Sequence, residues 1–117
     1  MKKLITIIAF LGILVVACSQ EEFGGLGIEV PAGPEKVSKS RPFVIASVYE
    51  GGTGYQAGLK EGDIIISVDG VPLEGLQYDY IVTNLLRGKV GSVVTLEIQR
   101  GDNLMLFRVM RGKIVLK

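Results

Sequence analysis

The apolar and polar positions divide the chain into one unbroken apolar block and a longer stretch of short, alternating elements. Leu4 to Ala17 is 14 residues without a charge, behind Lys2 and Lys3. A membrane-spanning helix needs about 20 such residues, so the block is short for a span and fits the apolar core of a secretory signal. Beyond it the periodicity changes. Leu26 to Val30 alternates and reads as a strand. Pro31 and Pro34 end it, because proline has no N–H to donate to a ladder. Phe43 to Tyr49 and Asp63 to Val68 are apolar, β-branched runs that read as buried strands. Tyr55 to Leu59 reads as one helical turn, closed by Gly58 or Gly62. Asp69-Gly70 is a hairpin signal, and Val71-Pro72-Leu73 is its short return strand at a sheet edge. Gln77 to Arg87 is the one strong helix. Its Tyr78, Ile81, Val82 and Leu85 recur at i, i+3, i+4 and i+7, and Gly88 suits its C-terminal cap. Val93 to Arg100 and Leu104 to Arg111 read as two strands around Gly101-Asp102-Asn103. The set predicts a β-rich α+β fold with one main helix and one short helix.

Composition narrows the chemistry. Removing residues 1–17 from the 117 leaves 100, enough for one core and too few for a catalytic domain beside a binding module. Setting aside Lys2 and Lys3 leaves 11 basic against 12 acidic residues. A near-neutral balance argues against nucleic acid as a partner, since phosphate recognition needs a basic face. The sequence has no His, which excludes His-dependent nucleophile systems and His-ligated metals. A single Cys excludes an intrachain disulfide and a Cys-rich zinc site. Neither a cofactor nor a metal is expected, and the chain reads as a non-enzyme. Asp63 and Asp69 stand in turn signals and read as turn formers. Tyr78 and Tyr80 read as core or rim. Arg108, Arg111, Lys113 and Lys117 make the C-terminus basic, as charge protecting an edge strand or as a contact for anionic headgroups.

The one Cys has a specific setting. Val15-Val16-Ala17-Cys18-Ser19 resembles the lipobox of bacterial lipoproteins. The resemblance implies that residues 1–17 are a lipoprotein signal peptide, cut before Cys18. Acyl chains such as palmitate would then anchor Cys18 in a membrane, since more than one chain gives stable attachment. Residues 18–24 would be the lipidated Cys and a tether. Ser19 in place of Asp favours the outer membrane, facing the periplasm, in a Gram-negative cell. Otherwise the location would be the outer face of the plasma membrane.

Phe23-Gly24-Gly25-Leu26-Gly27-Ile28 opens the domain. Successive backbone N–H groups in a glycine-rich turn can form an anion-binding nest. A strand leading out of such a nest can receive an extended peptide as an added strand. Two motifs further along the chain give this weight: "AGLKEGDIIISVDG" over 57–70, then "LLRGKVGSVVTLEIQR" over 85–100. Over Phe23 to Arg111 the chain resembles a bacterial PDZ domain of the carboxyl-terminal processing protease type. That implies a small, partly open β-barrel or sandwich of five to six strands in a circularly permuted form, with the domain over 25–112 and a tail over 113–117. The resemblance implies a peptide-binding site at Gly25, Leu26, Gly27, Ile28 and Val30 facing Asp79, Thr83 and Leu86 of the helix. Val82 would replace a helix member if the register slips by one. The backbone N–H groups of Leu26, Gly27 and Ile28 would hold a terminal carboxylate. Leu26, Ile28, Val30 and Leu86 imply an apolar last residue on the ligand, with Asp79 at the mouth favouring a basic or hydroxyl group further back. Tyr55-Gln56 stands where the family has Pro-Ala. Pro31 would stop pairing early and hold ligand contact to about two residues. The implied partners are protein or peptide C-termini and an envelope protease. The alternative is a non-catalytic partner or truncated remnant of such a serine protease.

Overall fold

A computed structural model describes residues 21–116. Eight strands lie among them: β1 (Glu21–Gly25), β2 (Ile28–Glu29), β3 (Ser47–Val48), β4 (Ile64–Val68), β5 (Val71–Pro72), β6 (Val93–Arg100), β7 (Asn103–Met110) and β8 (Gly112–Leu116). Helix α1 is Thr53–Ala57, and α2 is Tyr78–Tyr80 continued by Ile81–Leu86. Strands β5-β4-β6-β7 form one antiparallel sheet, while β1-β8 and β2-β3 are separate pairs. The sheets do not close into a barrel.

The β6–β7 hairpin forms the centre because its pattern is strictly alternating. Val94, Leu96 and Ile98 are completely buried, with Val93, Thr95, Glu97 and Gln99 on the other face. Phe43, Ile45, Ile65, Val68, Leu73 and Ile81 close the core against them. Asp69 (φ 50°) and Gly70 (φ 82°) make the left-handed turn that a two-residue hairpin requires. Helix α1 ends at Gly58 (φ 103°), the first of the two glycines considered as its stop.

Four elements differ from the pattern-based reading. Only Ser47–Val48 of the Phe43–Tyr49 run is regular strand. The run changes partner midway: Phe43 and Ile45 bond to β4 and its leading residue, where Ile45 N–H donates to Asp63 O at 2.8 Å, and Ala46 N–H then donates to Glu29 O at 2.7 Å. The expected tether and tail are paired with each other, from Glu21↔Leu116 to Gly25↔Gly112. The expected signal segment 1–17, Cys18, Ser19 and Gln20 lie outside the described residues. Helix α2 winds with i→i+5 bonds over Ile81–Leu86, and Arg87 N–H donates to Val82 O at 3.0 Å. The wider turn carries Leu86 into the core and leaves Leu85 half-buried, where a regular helix would bury Leu85. Gly88 is not the expected left-handed cap, because the chain at Arg87 is extended (φ −75°, ψ 150°).

Asp63, Asp69 and Arg111 are structural. Asp63 is buried and takes Arg100 Nε and Nη2 at 2.8 Å each, with Lys60 N–H at 2.9 Å. Burial pushes its carboxyl pKa up. The Arg100 guanidinium and the Lys60 N–H outweigh that and hold it below the ordinary carboxylate value. Asp69 Oδ1 accepts the Thr95 N–H at 2.8 Å. Arg111 is neither edge protection nor a headgroup contact, since it is buried beneath the end of α2. It donates to Leu86 O (2.8 Å), Leu85 O (3.0 Å) and Ser92 Oγ (2.9 Å). A helix end leaves its last carbonyls unpaired, and this guanidinium satisfies two of them.

Candidate functional site

The turn Gly25–Ile28 sits where β1 hands the chain to β2. Gly27 is at φ 72°, and a Cβ there would stand 3.1 Å from Gly52 Cα. Glycine therefore serves both the left-handed backbone and the close approach. The turn's carbonyls are tied to the body: Leu26 O accepts Gly54 N–H, and Gly27 O accepts Tyr49 N–H, each at 2.8 Å. Its N–H groups are not. Among the described residues, Leu26 and Gly27 donate to no backbone or side-chain acceptor. The Tyr49–Gly27 bond makes Ile28↔Val48 a non-hydrogen-bonded pair, so the Ile28 N–H points away from β3. Three successive donors at the head of a free strand edge are thus open.

Beside this edge lies a cleft of about 180 Å³, with β2 as one wall and α2 as the other. Gly25, Leu26, Gly27, Ile28, Val30 and Leu86 all line it, as expected from the sequence. Val82 lines it instead of Thr83, which falls in a shallow neighbouring recess with Glu22 and Phe23. The i→i+5 winding of α2 sets that register. Asp79 lines neither space. Its Oδ1 is taken by the Gly33 N–H at 2.7 Å, which leaves it poorly placed for the expected role of reading a ligand group.

Phe23, Arg87 and Ile114 also line the cleft and carried no signal in the periodicity. Phe23 and Ile114 arrive through β1–β8 pairing, in register with each other. The Arg87 guanidinium carbon stands 4.2 Å from the centre of the Phe23 ring, so one cation lies at the cleft's head. The β1 wall is held against α2 by two glycines. Gly24 N–H donates to Gly88 O at 2.7 Å, and Gly88 N–H donates back to Gly24 O at 3.0 Å. A Cβ on Gly24 would stand 2.7 Å from Gly88 O, which only glycine avoids. Among the described residues no group of three or more Cys, Asp or Glu stands together as a metal site.

Known proteins share this architecture. Residues 44–100 match the PDZ domain family model. A probable CtpA-like serine protease from Staphylococcus haemolyticus is 34% identical over 88 residues, which are 75% of this chain and 18% of the relative. The chain therefore spans less than a fifth of that relative's length. The PDZ domain of a carboxy-terminal protease from Vibrio cholerae, solved in complex with peptide, superposes with a TM-score of 0.63 at 26% identity. That match covers 80% of this chain and 98% of the solved domain. A photosystem II D1 C-terminal processing protease superposes with a TM-score of 0.67 at 25% identity, over 86% of this chain and 26% of the protease. The strand order, the cleft between β2 and α2 and the match over residues 44–100 together make this a small PDZ-like domain.

Proposed function

We propose that this chain is a binding module of the cell envelope, held on a membrane by lipid on Cys18. It captures free C-termini, or exposed extended segments, of other proteins by adding them as a strand to β2. The observation that carries this reading is the set of unengaged N–H groups of Leu26, Gly27 and Ile28 at the head of an apolar cleft. They suit a terminal carboxylate, Arg87 supplies a cation nearby, and Leu26, Ile28, Val82 and Leu86 suit an apolar last side chain. The similar PDZ domain from Vibrio cholerae was solved in complex with peptide, which supports a peptide as the ligand class. The chain has no His and carries no catalysis in this reading.

Binding of one decapeptide ending in Val, as free acid and as C-terminal amide, tests the mechanism. The amide is expected to bind at least about tenfold more weakly, because charge-assisted hydrogen bonds to the carboxylate are lost. Equal affinities would remove the carboxylate from the account.

Anchoring rests on the Val-Val-Ala-Cys sequence at 15–18. Two residues separate Cys18 from β1, a reach of about 10 Å, which keeps the cleft close to the bilayer. In a Gram-negative cell this is the outer membrane facing the periplasm, and otherwise the outer face of the plasma membrane. The chain recovered from the membrane fraction is expected to begin at Cys18 and to carry acyl chains on it by mass spectrometry, and the Cys18→Ala variant to carry none. An unacylated Cys18 in the membrane-bound chain would refute the lipid anchor.

A second reading has one observation in its favour, the likeness to a CtpA-like protease of which this chain matches only a part. In it, the chain is a non-catalytic partner or truncated remnant of a carboxyl-terminal processing protease, and presents captured C-termini to a separate catalytic chain.

A further inference from the structure

Val30 on the β2 side and Val82 on α2 are the residues at the far end of the cleft lining, and past them the chain passes from one wall to the other. Pro31, Ala32 and Gly33 lead from the β2 wall to the first turn of α2. Gly33 N–H donates to Asp79 Oδ1 at 2.7 Å, and Asp79 N–H donates back to Gly33 O at 3.1 Å. Tyr78 N–H donates to Glu35 O at 2.8 Å, and Lys36 bridges Gln77. The strap is therefore stitched to the helix one turn before Val82. Val30 is the last β2-side residue in the cleft.

We infer that this strap confines recognition to the last two or three residues of a ligand, and that Asp79 is the positioning residue that holds it closed. The inference rests on the peptide-binding reading of the cleft. An extended ligand with its carboxylate at Leu26–Ile28 advances about 3.3 Å per residue, so Ile28 to Val30 accommodates about two steps. Alternation puts the Ala32 N–H next on the free edge, but from Pro31 on the chain leaves β2 for α2, where the Gly33 N–H is held by Asp79 Oδ1. A fourth ligand residue lies past the residues that line the cleft, beside a strap turned toward α2 and no longer in line with β2, and the peptide turns out to solvent.

The test uses the full chain in detergent micelles and decapeptides that share one apolar-ended tripeptide and differ at the fourth to sixth residues from the end. Affinities for the wild type are expected to agree within about twofold across the set. In the Asp79→Ala variant the loosened strap is expected to spread them by roughly threefold to tenfold, the range of one added hydrogen bond. Asp79→Asn keeps an acceptor oxygen for Gly33 and is expected to behave as the wild type. A wild type that discriminates these peptides tenfold, or an Asp79→Ala variant as indifferent as the wild type, overturns the inference. Changing the last residue from Val to Asp separates this from the underlying reading: a wild type indifferent to that change fails as a C-terminus binder, whatever the strap does.

Discussion

Replacing Arg111 with methionine is expected to lower unfolding stability by about 2–4 kcal/mol, the order expected when two buried carbonyls lose their donor. The residue is 9% exposed, and its side chain ends on three acceptors, Leu86 O, Leu85 O and Ser92 Oγ. Methionine fills the space and donates nothing, so the last carbonyls of α2 lose their partners inside the protein. A domain of this size has about 5–15 kcal/mol in total, so a sizeable share of the margin goes. Arg111→Lys is expected to recover only part of the loss, because an ammonium does not reproduce the guanidinium's fixed fork. Urea unfolding with an unchanged m-value is the measurement. A midpoint shift worth less than about 1 kcal/mol would mean that water satisfies those carbonyls equally well. The consequence reaches the cleft, since Leu86 and Arg87 on that last turn line it.

The second large effect concerns Gly27. A Gly27→Glu variant is expected to bind an apolar-ended peptide at least about a hundredfold more weakly, while losing only about 1–2 kcal/mol of stability to backbone strain. Two causes combine. The left-handed φ of 72° resists a side chain, and the Cβ presses on Gly52 Cα at 3.1 Å. The new carboxylate also occupies and repels the place where the ligand's own carboxylate would meet the open N–H groups. Gly27→Ala shares the strain without the charge and is expected to lose much less binding. Titration calorimetry with circular dichroism as the folding control distinguishes the two. Undiminished binding by a folded Gly27→Glu variant would remove the carboxylate cradle from this turn.

Much of the fold was legible because it is written in neighbouring residues. The alternation of Val94, Leu96 and Ile98 places a buried strand without knowledge of its partner. Asp69-Gly70 announces its hairpin through the backbone angles those residues tolerate. On the β2 side the cleft was legible for the same reason, since Gly25 to Val30 form one continuous segment. On the helix side, regular spacing led to Thr83 and Asp79. In the i→i+5 wound helix Val82 stands at the cleft in place of Thr83, beside the expected Leu86, and the strap claims Asp79. Helix spacing is a local quantity, but the winding is tied to the packing of the helix's end on Arg111 and Gly24, both distant in the chain.

By itself, then, the order of residues determined β4, β6 and β7 and the turns between them, the single main helix, the lack of histidine chemistry and the glycine turn at the head of β2. Only the tertiary structure decided that Glu21–Gly25 and Gly112–Leu116 pair, that Phe23, Arg87 and Ile114 complete the cleft, and that Arg111 serves α2 from below. The division has one physical cause. Periodicity and φ preferences act over a few residues and leave a readable spacing. Pairings such as Gly24 with Gly88, or Arg111 with Leu86, depend on surfaces that exist only once the chain has closed on itself.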